Sequence, residues 1–248
     1  MKIVYTLSDK RNMPKEILKS LKDIIRFVDY KDILVFYTSP SSKFIGDKIS
    51  KYATLIKTDN ITKPFISDEG TGLSGYGEKI HLCDVKDKDI IFLDCDTRIK
   101  KDITKLLNDV YDFSARIISF DCDKKIWKKY CKSFNMFSSP PIFNTGFMIF
   151  RYGLHSKIKD LWIKHLKCDI PKIHKHCYVK EEYALALALP ENINIKFMNE
   201  ETHFFNWYDK NINILPYIIH GYKRTFKRRL KNKIKKTIKN SIFFRGQI

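Results

Sequence analysis

The six cysteines of this 248-residue chain (Cys83, Cys95, Cys122, Cys131, Cys168 and Cys177) include no CxxC pair and form no regular framework. Their scatter argues against a disulfide scaffold and for reduced thiols in a cytoplasmic setting. No apolar run approaches the length of a membrane span, and Asp9 interrupts the first apolar stretch before a signal-length region develops. Neither a secreted nor a transmembrane protein is therefore expected. Acidic residues are missing altogether from Lys223 to Ile248, although eleven Lys and Arg lie there. Internal repeats and long linkers are missing too.

What is present is core-forming material: 44% of residues are hydrophobic and 14% aromatic, which excludes disorder of the whole chain. The formal charge is +19, from 47 Lys and Arg against 28 Asp and Glu, and setting aside the eleven terminal cations leaves +8 on the rest. This asymmetry predicts a mildly basic domain, residues 1–222, and a polyanion-seeking tail, residues 223–248, rather than a uniformly basic nucleic-acid binder.

Short runs rich in β-branched and aromatic residues at 2–8 and 33–38 flank a segment from Pro14 to Val28 whose apolar residues recur at helical spacing. The alternation continues with a helix near 42–52, a strand at 54–57, a helix at 76–85, and strands at 90–93 and 116–120. A strand at 143–150, helices at 155–166 and 179–189, and late strands at 194–198 and 217–220 complete the pattern. Alternating strands and helices predict an α/β fold with a mostly parallel central sheet flanked by helices, and a ligand site beyond the carboxyl ends of the strands.

The most informative segment is Ile90-Ile91-Phe92-Leu93-Asp94-Cys95-Asp96-Thr97. Residues i and i+2 of an extended chain point the same way, so Asp94 and Asp96 are expected to present two carboxylates to one side of an emerging strand. Hard oxygen ligands of this kind suit Mg²⁺ or Mn²⁺, which complete their shells with substrate phosphates. The alternative is that both acids begin a loop and cap the helix near Asp102. A second such pair, Asp121-Cys122-Asp123, is read as a decoy.

Leu93-Asp94-Cys95-Asp96-Thr97, with Asp102-Ile103 and Leu106 behind it, resembles the DxD region of GT-A glycosyltransferases. Phe143-Asn144-Thr145-Gly146-Phe147-Met148 is similar to that family's strand whose Asn and Gly lie beside the donor sugar. Glu181-Glu182-Tyr183 stands where the glycogenin and bacterial lipo-oligosaccharide galactosyltransferase kind carry an acidic-Gln-acidic segment, with Glu182 in the place of the Gln. His220-Gly221-Tyr222-Lys223 resembles a compressed form of their late His, Gly, Lys segment.

The resemblance implies a GT-A fold and transfer of a sugar from a nucleotide sugar, UDP-linked ahead of GDP-linked, to a glycan, lipid-linked or protein acceptor. It implies metal ligation by Asp94, Asp96 and His220, with Mn²⁺ or Mg²⁺ as the cofactor. Thr6, Ser8, Asp9, Lys79, Cys95, Gly146 and Lys223 join Asp94 and Asp96 as donor contacts in this reading. Glu182 and Asn144 fall at the reacting centre, Glu182 as an orienting group or a base. The leaving diphosphate would be neutralised by preorganised positive charge.

Three rival readings stand beside it. Gly70 to Gly77 contains a literal GxGxxG, which an S-adenosylmethionine or NAD enzyme would use, yet the residues before Gly70 make a poor buried strand. A phosphatase of the haloacid dehalogenase type also uses DxD, but wants Thr or Val where Arg98 stands. A non-catalytic nucleic-acid adaptor would explain the charge, but no nucleic-acid motif occurs in the domain and nucleic acid is not the expected partner. In the tail, Phe226, Leu230, Ile234, Ile238 and Ile242 recur every four residues among cations. That pattern predicts an amphipathic helix over 226–244 suited to peripheral attachment at an anionic membrane.

Overall fold

The computed structural model describes residues 1–7, 13–37, 43–59, 61, 77–118, 123–168, 180–206, 209 and 214–221. The strand-helix alternation at the start is as the spacing predicts: β1 (Lys2–Leu7), α1 (Met13–Ile24), β2 (Ile33–Tyr37), α2 (Lys43–Ile49) and β3 (Thr54–Lys57). Helix α1 buries Ile17, Ser20, Leu21 and Ile24 on one face, with Pro14 in its first turn. It ends at Ile24 rather than Val28 because the chain tightens there, the Phe27 amide donating to the Ile24 carbonyl at 2.9 Å.

The strand leading to the aspartates is β4 (Ile90–Leu93), buried at every position. After it come β5 (Thr97–Ile99), β6 (Phe113–Ile117), α3 (Lys124–Lys132), β7 (Phe143–Phe150), α4 (Leu154–Lys157), α5 (Lys159–Lys167) and α6 (Lys180–Ala188). The last strands are β8 (Ile195–Phe197), β9 (His203–Phe205) and β10 (Ile218–His220). Among the described residues these form a seven-stranded sheet in the order β3-β2-β1-β4-β7-β6-β8 and a three-stranded sheet β5-β10-β9.

Strands β3, β2, β1 and β4 run parallel, as expected, whereas β7 is antiparallel to both β4 and β6. Alternation along the strands divides the core between two faces. Ile3, Tyr5, Leu7, Ile91 and Leu93 pack with Ile17, Leu21 and Ile24 of α1, while Val4, Ile90 and Phe92 pack with Trp162, Leu166 and α6. The region 76–85, expected as an α-helix, is a 3₁₀ run over Gly77–Asp84, and the single helix expected at 155–166 is split between α4 and α5. Strand β6 lies earlier than the expected 116–120. Its buried positions are Phe113, Ser114 and Ala115, and the two small side chains give little apolar signal.

Helix α6 is buried on all sides from Glu181 to Ala188, so its two glutamates are carried into the interior by the helix itself. Among the described residues no helix is long and apolar enough to cross a membrane. The glycine loop 70–76 and the tail from 223 onward lie outside the described residues.

Candidate functional site

The carboxyl ends of β1 and β4 lie side by side, and β4 runs directly into Asp94. Strand alternation is not what brings the two carboxylates together. A turn closes over Asp94 to Thr97, the Thr97 amide donating to the Asp94 carbonyl at 3.1 Å, and it folds Asp96 back beside Asp94. The small second sheet then delivers the third group: β10 pairs antiparallel with β5, placing His220 opposite Thr97. His220 Nε2 lies 3.3 Å from Asp96 Oδ1 and 3.5 Å from Asp94 Oδ2.

One ligand atom from each of Asp94, Asp96 and His220 falls within 4.8 Å of the others. Neighbouring corners of an octahedron with Mg²⁺-type bonds are about 3 Å apart, so the two His220 separations suit adjacent positions around one cation. Gly146 makes room for the imidazole. A Cβ built on it would lie 1.9 Å from His220 Cε1, so any side chain there would displace the ring. The Gly146 carbonyl also accepts from the Asp94 amide at 2.8 Å, tying β7 to the same turn. Two hard carboxylates and one imidazole nitrogen make a donor set that fits a divalent cation.

Lys79, expected as a donor contact, is buried in this cluster with its ammonium 3.0 Å from Asp94 Oδ1 and 3.7 Å from Glu181 Oε1. It also donates to Thr145 Oγ1 at 2.9 Å and to the Thr145 carbonyl at 3.3 Å. Burial works to lower its pKa, but Asp94 and Glu181 outweigh it, and the lysine stays charged with a raised pKa. In return Asp94, which burial alone would push up, is held below its ordinary value by Lys79 and His220. His220 shows the same balance: burial opposes its charge, yet Asp96 and Asp94 raise its pKa to about 9.

The two glutamates of α6 differ in setting. Burial raises Glu181 to about 7 against the pull of Lys79, while burial and the neighbouring Glu181 push Glu182 well above the ordinary carboxyl range. Glu182 Oε1 accepts from Asn144 Nδ2 at 3.2 Å, and Asn144 Oδ1 accepts from the Gly146 amide at 3.0 Å. Asn144 thus joins the glutamate to the strand that makes room for His220. Thr145 Oγ1 donates to Glu181 Oε1 at 3.3 Å, linking α6 to β7 a second time.

Of the other expected residues, Thr6 lies near the end of β1, where its carbonyl accepts from the Cys95 thiol at 3.1 Å. Cys95 is itself buried in the apolar cluster on the α1 side, so its thiol is not among the carboxylates. Ser8, Asp9 and Lys223 lie outside the described residues. In the second acidic pair, Asp123 caps α3, accepting from the amides of Lys125 and Ile126. Asp102 caps the following 3₁₀ turn, accepting from Thr104, so the capping role belongs to it and not to Asp94 or Asp96.

Sequence reasoning missed four contributors. Thr145 and Glu181 sat inside quoted motifs and are recoverable from them. Ser20 and His203 carried no signal, because only tertiary contact gives them a role. Ser20 is the middle of a buried hydroxyl chain in which Thr97 Oγ1 donates to the Asp94 carbonyl at 2.7 Å, Ser20 Oγ is 3.1 Å from Thr97 Oγ1, and Tyr5 Oη is 2.9 Å from Ser20 Oγ. The terminal carbonyl can only accept, which fixes the direction: tyrosine donates to serine and serine to threonine.

No family model and no curated protein sequence matches the chain. Solved structures similar to it are glycosyltransferases. An active-site mutant of LgtC superposes with a TM-score of 0.63 at 12% identity, over 89% of this chain and 86% of the other. The galactosyltransferase LgtC in complex with donor and acceptor sugar analogues gives 0.62 at 13% identity over the same shares, 89% and 86%. Mouse xyloside xylosyltransferase 1 in its apo form gives 0.54 at 13% identity, over 90% of this chain and 98% of that one. This likeness carries the fold: the chain has the GT-A architecture that its motifs led one to expect.

Proposed function

We propose that this protein is a metal-dependent glycosyltransferase that moves a sugar from a nucleotide-sugar donor, UDP-linked ahead of GDP-linked, to a glycan, lipid-linked or protein acceptor. The observation that carries the reading is the convergence of Asp94, Asp96 and His220 at the carboxyl ends of β1 and β4. That is where a sheet of this topology receives its ligand. Among the similar solved structures, LgtC is described with donor and acceptor sugar analogues bound.

Asp94, Asp96 and His220 would hold Mn²⁺ or Mg²⁺, which when bound supplies positive charge for the diphosphate leaving group. Lys79 keeps a buried permanent charge against Asp94 and so fixes that carboxylate in place. Asn144 and Glu182, hydrogen-bonded to each other, lie beside this cluster. Glu182, whose burial and neighbouring Glu181 push it well above the ordinary carboxyl range, stands beside Asn144 as an orienting group or a base for the donor sugar. Thr6 contributes backbone at the end of β1, on the side where Ser8, Asp9 and the nucleoside would meet. Lys223 would approach the diphosphate, following His220 by three residues in the sequence.

The test is a donor-hydrolysis screen with Mn²⁺ across UDP-, GDP- and CDP-sugars. A UDP-sugar is expected to be turned over, with loss of activity in EDTA and a fall of about 100-fold or more in Asp94→Ala and Asp96→Ala. Failure to bind or hydrolyse any donor, or wild-type rates in both variants, would sink the proposal.

A further inference from the structure

His203 lies outside the expected site, is fully buried, and is placed by β9 beside the ligand strand β10. Its Nε2 is 3.0 Å from Nδ1 of His220. The ring centroids are 5.2 Å apart and the planes differ by 13°. That separation exceeds the N···N distance by about two imidazole radii, so the rings lie end to end in nearly one plane rather than face to face. An imidazole N–H lies in the ring plane, and this arrangement aims it at the facing lone pair.

The direction of the bond follows from the other side of His220. Its Nε2 faces Asp94 and Asp96, and when that nitrogen holds a cation the ring's one N–H lies on Nδ1. Nδ1 therefore donates, and Nε2 of His203 accepts. The proton of His203 then sits on its own Nδ1, which has no hydrogen-bond partner among the described residues. A buried unpaired donor is unfavourable, and an apolar side chain in its place would remove that cost. What an apolar side chain could not supply is the acceptor for His220.

The ring that provides this acceptor is held firmly. Phe205 packs edge-on to it at 4.5 Å between centroids and Phe147 at 5.5 Å. The backbone is fixed as well: the His203 amide donates to the Asn199 carbonyl at 2.9 Å, and its carbonyl accepts from Arg116, itself paired with Asp209.

We propose that His203 is a positioning residue for the metal ligand. It accepts the Nδ1 proton of His220, and so fixes the tautomer and ring plane that present Nε2 beside Asp94 and Asp96. The inference rests on the reading that these three residues hold a divalent cation. It follows the general rule that the partner of a ligating imidazole sets its tautomer and basicity.

The experiment is Mn²⁺ titration of the full chain, without nucleotide, followed by the electron paramagnetic resonance signal of free Mn²⁺. Wild type is compared with His203→Leu, His203→Gln and His203→Asn, and folding of each is checked by circular dichroism in EDTA. Gln can place an oxygen where Nε2 stands, while Asn is too short to reach His220. His203→Leu and His203→Asn are expected to weaken Mn²⁺ binding by about 10- to 100-fold, with His203→Gln within about threefold of wild type. Folded Leu and Asn variants that bind Mn²⁺ as wild type does would overturn the role of His203 while leaving the metal site intact. If His203→Leu does not fold, the Gln and Asn pair decides, and equal affinity in those two overturns the proposal. Wild type with no more affinity for Mn²⁺ than Asp94→Ala would instead overturn the metal reading, and this inference with it.

Discussion

At the scale of the residue, the site is governed by one lysine among several acids. Lys79 faces Asp94 and Glu181 directly, with Glu182 next to them, and a single buried cation cannot keep all three carboxylates ionised. Asp94 lies nearest and is held below its ordinary value, while Glu182 is pushed well above its own. The pH dependence follows. An ordinary glutamate loses its proton near 4.5, whereas folded Glu181 holds its own to about 7, and Glu182 is likewise pushed well above the ordinary range. In that interval the folded state binds more protons than the unfolded state, so these groups lower stability as pH rises through it. Glu182→Gln keeps the shape and the hydrogen bond from Asn144 without an ionisable proton. Its melting temperature is expected to exceed that of wild type by more at about pH 8 than at about pH 5. Thermal melts at the two pH values check this, and an equal margin at both would contradict the upward shift of Glu182.

At the scale of the element, the turn after β4 is held by parts of three others. Tyr5 on β1, Ser20 on α1 and Thr97 on β5 form a one-directional hydroxyl chain that ends on the Asp94 carbonyl. Ser20→Ala leaves the Tyr5 donor and the Thr97 acceptor unpaired in a dry interior, with an expected loss of about 1–3 kcal/mol. Tyr5→Phe removes only the head of the chain and is expected to cost less, about 0.5–1.5 kcal/mol. Urea unfolding of both variants gives the comparison, and the reverse order would refute the assigned direction. Strands β5 and β9, which complete the site, were not legible in the sequence. Each has three residues, too few for a period to show, and the partner of β5, β10, lies near the other end of the described chain. Strands β3, β4 and β7 were legible to the residue, and for β4 the reason is that burial on both faces of a sheet demands an unbroken apolar run.

At the scale of the whole molecule, charge divides into two parts. The eleven cations after Gly221 account for more than half of the net +19, and no acid offsets them locally. We propose that residues 223–248 bring the domain to an anionic membrane surface, where each basic residue contributes about 1 kcal/mol. Sedimentation with anionic liposomes is expected to fall to background when residues 226–248 are deleted, and to weaken with added salt. Unchanged sedimentation of the truncated protein would remove the membrane assignment. Such an address would suit an enzyme whose acceptor is lipid-linked.

By itself the sequence determined where apolar strands must lie and which polar residues interrupt them. Asp94 and Asp96 are legible at the end of a buried run, and Asn144, Glu182 and His220 through their resemblance to the GT-A motifs. Tertiary structure alone decided how these groups act. The Asp94 to Thr97 turn, rather than strand alternation, brings the two carboxylates together, and the β5–β10 pairing brings in His220. Burial beside acids made Lys79 an internal counter-charge, and burial beside Glu181 pushed Glu182 well above the ordinary carboxyl range. His203 acquires a role only through His220. Protonation state and ligand geometry depend on desolvation and on partners distant in the chain, and neither quantity is written in local spacing.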